Sequence, residues 1–272
     1  MGEWMIDKYD FITKEETLFP SEGMIIKYDD FNKILEMPKT GRIKVLGLRQ
    51  DTFEYFIDRY GELFESIYFF KCPLIGDFSK LASCKRLKHL QVFWNQRAER
   101  LWCMKDNVNL KALSIDDFSR LHDLNDVTTA PNLEEFHFGD MIWPGFILDS
   151  LEPLARCENL RYLSFSAKKI INNDITPLAS LEKLEELVFF DKLFTTEQIA
   201  WLTAKLPHVK SGQLAPYWMH RPIESHTATV IKHLDTRICG KRKPLLDSNL
   251  DKVRIDKYVE QFNKLVNQYK SE

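Results

Sequence analysis

Residues 87–92 read LKHLQV, with apolar side chains at the first, fourth and sixth places. The same spacing returns as LKALSI at 110–115, LEEFHF at 133–138, LRYLSF at 160–165 and LEELVF at 184–189. Upstream it is found as FESIYF at 64–69 and IKVLGL at 43–48. Successive starts are 21, 23, 23, 23, 27 and 24 residues apart. One such hexamer fits any amphipathic helix, but a fixed period over seven of them marks a repeat architecture. A degenerate eighth unit, LPHVKS, begins at Leu206.

The fourth and sixth places lie two residues apart, so in a strand they share one face. Between hexamers the apolar spacing turns helical, as at Phe78 and Leu81, Leu151 and Leu154, Ile175, Leu178 and Leu181, and Ile199 and Leu202. A single strand plus a helix or turn cannot bury both apolar faces, whereas stacked neighbours can.

These hexamers resemble the strand segment of leucine-rich-repeat proteins over residues 41–212. The resemblance implies an α/β fold. It would be a right-handed leucine-rich-repeat solenoid of seven to eight repeats, with a curved parallel sheet on the concave side and helices or turns on the convex side. Residues 1–40 then form an N-terminal cap, with Trp4, Tyr9, Phe11, Phe19, Tyr28 and Phe31 as its apolar content. Residues 213–272 form a C-terminal cap whose final amphipathic helix carries Leu250, Ile255, Tyr258, Val259, Phe262, Leu265, Val266 and Tyr269, capped by Asp247 or Ser248 and docked on the last repeat. The family's Asn or Cys turn position, eight residues after each start, is met by Asp51, Cys72 and Asn95 but not by Phe118, Met141, Lys168 or Lys192. The 27-residue unit contains Trp143-Pro144-Gly145 and should bulge on the convex side.

Composition sets the outer limits of function. The 272 residues carry 38 basic and 40 acidic side chains, a formal charge of −2, so there is no general field for a nucleic-acid backbone. No 18-residue apolar run appears, and no membrane partner is expected. Five cysteines without a CxxC suggest thiols in a reducing cytoplasm; Cys84 and Cys157 occupy a repeated apolar slot. Cys239 should pack under the tail. No GxSxG, HExxH, GxGxxG or P-loop motif is present, and His220, His226 and His233 fit no zinc spacing. The chain reads as a non-enzyme with no cofactor and no metal.

The strand register predicts the solvent-facing columns of the concave side. The first runs Val45, Ser66, His89, Ala112, Glu135, Tyr162, Glu186; the second Gly47, Tyr68, Gln91, Ser114, His137, Ser164, Val188; the third Arg49, Phe70, Phe93, Asp116, Gly139, Ser166, Phe190. From these, Tyr68, Phe70, His89, Gln91, Phe93, Asp116, Glu135, His137 and Tyr162 are the candidate partner-binding residues, with Tyr68, Phe70, His89 and Phe93 as an aromatic hot spot. The acidic set Asp116, Asp117, Glu134, Glu135 and Asp140 reads as a solvated strand edge that could meet a basic partner or a divalent cation. The basic run GKRKP at 240–244 reads as a solvated loop. The leading function is a monomeric module that binds an unknown protein partner. Alternatives are a small-ligand binder or enzyme built on the tail, a cytosolic immunity or effector-binding protein like small bacterial repeat proteins, and self-association through the convex face or final helix.

Overall fold

The computed structural model describes residues 25–36, 41–142, 145–226 and 231–271. They form two compact units, one ending at Leu184 and the other starting at Glu185. The first unit contains β1 (Ile25–Lys27), a 3-10 helix (Tyr28–Glu36), β2 (Arg42–Leu46), α1 (Gln50–Tyr60), β3 (Ser66–Phe70), β4 (His89–Asn95) and β5 (Ala112–Phe118). It continues with β6 (Glu135–Gly139), β7 (Ile147–Leu148), β8 (Tyr162–Ser166), β9 (Lys169–Ile170) and α2 (Thr176–Ala179). Within this unit β1 to β6 and β8 make one parallel sheet in that order, while β7 and β9 pair separately. Of the proposed N-terminal cap, Trp4, Tyr9, Phe11 and Phe19 lie outside the described residues; Phe31 is buried against Tyr55, Phe56 and Tyr60.

The sheet is in strict register. Ile67, Leu90, Leu113, Phe136 and Leu163 lie side by side, and so do Phe69, Val92, Ile115, Phe138 and Phe165. All are buried. They meet the helical side, where Phe53 of α1 packs edge-on to Phe69 and Phe78 at 5.4 and 5.5 Å. Three of the connecting half-repeats are 3-10 turns, at Ser79–Ser83, Asn125–Thr129 and Glu152–Arg156. A period of 23 residues leaves room for about one turn, and one-turn segments favour i to i+3 bonding.

The first repeat corrects the register read from the sequence. Ile43 lies beside Ile67 and Val45 beside Phe69, so this repeat starts three residues earlier than IKVLGL implies. An odd slip moves every side chain to the other face. Val45 is therefore core at 0% exposure, and Arg42, Lys44 and Leu46 take the outward places assigned to Val45, Gly47 and Arg49. The ambiguity arises because apolar residues stand at 43, 45, 46 and 48, which satisfies both phases. Asp51 is likewise not at the turn position. It is exposed at the start of α1, and the slot belongs to buried Leu48.

The turn that ends each strand repeats its backbone. Gly47, Lys71, Trp94 and Asp117 occupy equivalent places, and all have positive φ, between 52° and 69°. In the long repeat the positive φ falls one place earlier, at Gly139, where it is 128°. Inside the turns, buried polar atoms tie one repeat to the next. The Cys72 sulfur accepts from the Leu48 amide at 3.3 Å. The Asn95 amide donates to the Ile75 carbonyl at 2.8 Å, and its oxygen accepts from Ala98 at 2.8 Å. Asn107, which the repeat alignment passes over, does the same on the far side, donating to Leu81 and Cys84 carbonyls and accepting from Trp102. The extra residues of the long repeat fall between β6 and β7. Trp143 and Pro144 lie outside the described residues, while the Asp140 carboxylate closes this loop by accepting from the Gly145 and Phe146 amides.

The second unit contains β10 (Glu186–Phe189), α3 (Thr196–Lys205), β11 (Tyr217–His226), β12 (Ile231–Ile238), β13 (Leu245–Asp247) and α4 (Lys252–Ser271). The degenerate LPHVKS unit survives as a single parallel bridge from Lys210 to Glu186. α3 starts with a capping box, Thr195 and Gln198 each receiving the other's amide. The tail folds as an antiparallel sheet, β11-β12-β13, which composition did not foretell. GKRKP forms the turn between β12 and β13, with Lys241 and Arg242 exposed. α4 docks on α3, where Lys205 Nζ donates to the Tyr269 carbonyl at 3.0 Å. Ile255 joins Ile238 and Leu246 in a small core, and Phe262 and Val266 are also buried. Leu250 is exposed, however, and the residue directly before the helix is Asp251, whose carbonyl accepts from Ile255, rather than Asp247 or Ser248.

Two consequences can be measured. A Cβ on Gly139 would land on the Ser166 backbone, whereas one on Gly47 meets open space. Gly139→Ala should cost about 3 kcal/mol or more, and Gly47→Ala only about 1–2 kcal/mol, read from urea midpoints. In the tail, the Leu250 and His233 amides hold the Asp247 carboxyl below its ordinary value of 3.8, and the Asp247 amide and Lys232 do the same for Asp251. Depressed carboxyls lend stability above the unfolded value and lose it as pH falls through the folded one. The helical signal of α4 should therefore fall only below about pH 4. Asp247→Asn should lower neutral-pH stability and flatten that acid transition.

Candidate interaction surface

The face of the sheet opposite the helices, called here the front face, is assembled by register alone. Its first column runs Arg42, Ser66, His89, Ala112, Glu135, Tyr162. Its second runs Lys44, Tyr68, Gln91, Ser114, His137, Ser164, and its third Leu46, Phe70, Phe93, Asp116, Gly139, Ser166. All nine candidate residues thus stand on one face of adjacent strands. The addition is Lys44, hidden from sequence reasoning by the three-residue slip.

At one end the face is aromatic. Phe70 and Phe93 stack at 5.3 Å, and Tyr68 meets Phe70 edge-on at 5.6 Å. Lys44 Nζ lies 3.9 Å from the Phe70 ring centre and 4.8 Å from that of Tyr68, a cation–π arrangement. Beside it, Ser66 Oγ and His89 Nδ1 share a hydrogen bond of 2.7 Å.

The middle of the face is polar. Asp116 is fully buried. Its Oδ2 accepts from Ser114 Oγ at 2.9 Å, and its Oδ1 and His137 Nε2 share a 2.7 Å bond. Asp116 is the hub between a hydroxyl and an imidazole. The hydroxyl does not reach the imidazole in this set, so it lacks the nucleophile–base contact that acyl transfer needs.

The open, solvated surface expected from the columns is not what the chain presents. Tyr68, Gln91, Phe93, Asp116, Glu135 and Tyr162 are buried within the chain; Phe70, His89 and His137 are half-buried. Gln91 is 3% exposed and its Oε1 has no hydrogen-bond partner. The acidic set is not a solvated edge either. Asp117 accepts from the Met141 and Ile142 amides, Glu134 pairs with Lys111 and Arg161, and Asp140 holds its own loop. Among the described residues no three His, Cys, Asp or Glu are placed to hold a metal ion.

The cysteines are thiols. Cys72, Cys84, Cys157 and Cys239 are buried and Cys103 is exposed. Burial pushes Cys72, Cys84 and Cys239 up to about 12 and Cys157 to about 11, so none is a nucleophile near neutral pH. In the tail, His220 Nδ1 bonds the Arg221 carbonyl, while His220 Nε2, Trp218 Nε1, Thr196 Oγ1 and Asp191 Oδ2 are buried without a hydrogen-bond partner. Asp191 Oδ2 lies 3.3 Å from Arg237 Nε, an ion pair without hydrogen-bond alignment. No described helix is long and apolar enough to cross a membrane.

No protein-family model and no curated protein matches this chain. Among solved structures it is similar to internalin C2 from Listeria monocytogenes, at 18% identity and a TM-score of 0.37, covering 56% of this chain and 71% of that one. It is also similar to a leucine-rich-repeat protein from Leptospira interrogans, at 15% identity and a TM-score of 0.45, covering 64% of this chain and half of that one. The fold rests on the chain's own geometry. Parallel strands in register, two stacked apolar columns and a turn with a buried Cys or Asn make the repeat region a leucine-rich-repeat solenoid.

Proposed function

We propose that this chain is a protein-binding module that reads its partner with the front face of the sheet. What supports the reading is the contrast between the two faces. The columns toward the helices are uniformly apolar, as packing demands. The front columns differ at nearly every strand and bury Lys44, Gln91, Asp116 and Glu135. Burying such groups costs free energy that an apolar face would avoid, and cores keep such groups where function needs them. Tyr68, Phe70, His89, Gln91, Phe93, Asp116, Glu135, His137 and Tyr162 are the proposed recognition set. A partner would meet the half-buried Phe70, His89 and His137 first. Residues 41–212 would be the binding solenoid and 1–40 and 213–272 its caps, acting as a monomer in a reducing cytoplasm that suits five free thiols. The narrower role of an immunity or effector-binding protein rests on resemblance only.

A second reading has its own observation. Four buried polar atoms without hydrogen-bond partners, on Asp191, Thr196, Trp218 and His220, all belong to the second unit and would suit a small polar ligand there. The two readings separate cleanly. Affinity capture from native lysate should lose a bound protein in Phe70→Ala/His137→Ala, a variant that still unfolds cooperatively although loss of the His137 bond to buried Asp116 lowers its thermal midpoint. An identical set of captured proteins sinks the front-face reading. A small ligand seen by native mass spectrometry on the purified wild type and missing from Trp218→Phe favours the tail instead.

A further inference from the structure

In the tail sheet Trp218 lies directly across from Arg237, and side chains opposite one another in an antiparallel pair project to the same face. The Trp218 and His220 rings meet edge-on at 5.6 Å, and the Arg237 guanidinium carbon lies 5.7 Å from the Trp218 ring centre. Asp191 joins them from the segment after β10, with Oδ2 3.3 Å from Arg237 Nε. Two backbone bonds hold that segment to the end of β12: the Gly240 amide donates to the Asp191 carbonyl at 3.1 Å, and the Lys241 amide to that of Phe194 at 2.7 Å. We propose that this cluster binds one free α-amino acid by its carboxylate and ammonium groups. The inference rests on the tail-ligand reading above and on no front-face residue.

Hydrogen-bond accounting is the first argument. Buried polar atoms in folded proteins find partners, and each exception calls for a cause. The exceptions here are of both kinds. Trp218 Nε1 can only donate, and Asp191 Oδ2 can only accept. His220 Nδ1 bonds the Arg221 carbonyl at 2.6 Å and so carries the proton, which leaves Nε2 an acceptor in the uncharged ring. Among the described residues the terminal amino groups of Arg237 donate no hydrogen bond; its Nε faces Asp191. Thr196 Oγ1 stands apart from the cluster, because it closes against Gly240.

Charge is the second argument. The cluster holds one cation and one anion. A lone oxyanion would meet Arg237 and Trp218 but leave His220 Nε2 and Asp191 Oδ2 unmet, and a lone amine would do the reverse. A zwitterion answers both sets, with its carboxylate on the guanidinium and indole N–H and its ammonium on Asp191 and His220. No three His, Cys, Asp or Glu among the described residues are placed for a metal ion.

Size chooses the source. The Arg237 side chain is 24% exposed, the Asp191 side chain 7%, and the ring nitrogens are buried. A folded partner's surface has no route to such atoms, whereas a ligand of a few heavy atoms can pass the guanidinium and span ring-to-ring spacings of this order.

The test follows the Trp218 indole N–H resonance of the full chain, assigned by its loss in Trp218→Phe. The probes are glycine, acetate, methylammonium, glycerol and inorganic phosphate. Glycine should shift the resonance saturably, and bind at least about tenfold more tightly than acetate or methylammonium, each of which carries half of the zwitterion. Arg237→Gln and Asp191→Asn should each weaken glycine by about tenfold or more. The wild-type series does not depend on how well those variants fold. Acetate or phosphate binding as tightly as glycine would mean an oxyanion site, methylammonium a cation site and glycerol a polyol site; each overturns the proposal. So does an indole that glycine leaves unmoved, or full glycine binding by both variants. A ligand of another class, found by native mass spectrometry on the wild type and missing from Trp218→Phe, would overturn the amino acid and keep the tail-ligand reading. No such ligand and no shift would sink both.

Discussion

One backbone acceptor per repeat carries the architecture. The carbonyls of Gly41, Glu65, Lys88, Lys111 and Glu134 each accept two consecutive amides from the next repeat, at 2.7 to 3.1 Å. This doubled bond sits at the second place of each hexamer and sets where the next strand begins. With the start fixed, the fourth and sixth places must stack on their equivalents, and the third, fifth and seventh must face the other way. The same places carry charged side chains that pair across repeats, with Lys88 2.9 Å from Glu65, and Glu134 between Lys111 and Arg161. Exposed pairs of this kind are worth at most about 1 kcal/mol each. They decorate the register; the backbone bonds and the buried columns hold it.

Once the register is locked, the front face is free to vary, because nothing in the packing of one repeat depends on it. The chain uses that freedom unevenly. Its early strands place Lys44 against Tyr68 and Phe70, and its middle strands bury Asp116 between Ser114 and His137. A buried carboxylate tolerates this only because its hydrogen bonds replace lost hydration. The arrangement is specific rather than merely hydrophilic, which suits the recognition role proposed for this face.

Much of this was legible in the hexamer spacing, since period and face alternation are local properties of the chain. The five columns from β3 to β8 follow from counting alone. The first repeat was not legible, because Ile43, Val45, Leu46 and Leu48 satisfy two phases; Gly47 with its positive φ decides between them only once the turn is seen to recur at Lys71, Trp94 and Asp117. Burial of the front face was equally out of reach. Spacing says which way a side chain points, not what lies above it. The tail sheet escaped for a related reason: Pro222 and the charges along β11 and β12 mask the strand pattern, and antiparallel pairing supplies the order that local propensity does not.

The strand-end turns show how one repeat position can serve two demands. A residue that must adopt positive φ is cheapest as glycine, and Gly47 meets that requirement. Lys71, Trp94 and Asp117 adopt the same backbone at a cost that bulky side chains pay more heavily. In the later turns the side chain is therefore kept for something glycine could not supply. For Asp117 part of the answer is structural, since its carboxylate caps the Met141 and Ile142 amides and starts the long loop. Trp94 and Asp117 line one small cleft with Asp140 and Phe146. The repeat that fixes the fold has thereby built, in three consecutive turns, a surface chemically distinct from the sheet it terminates.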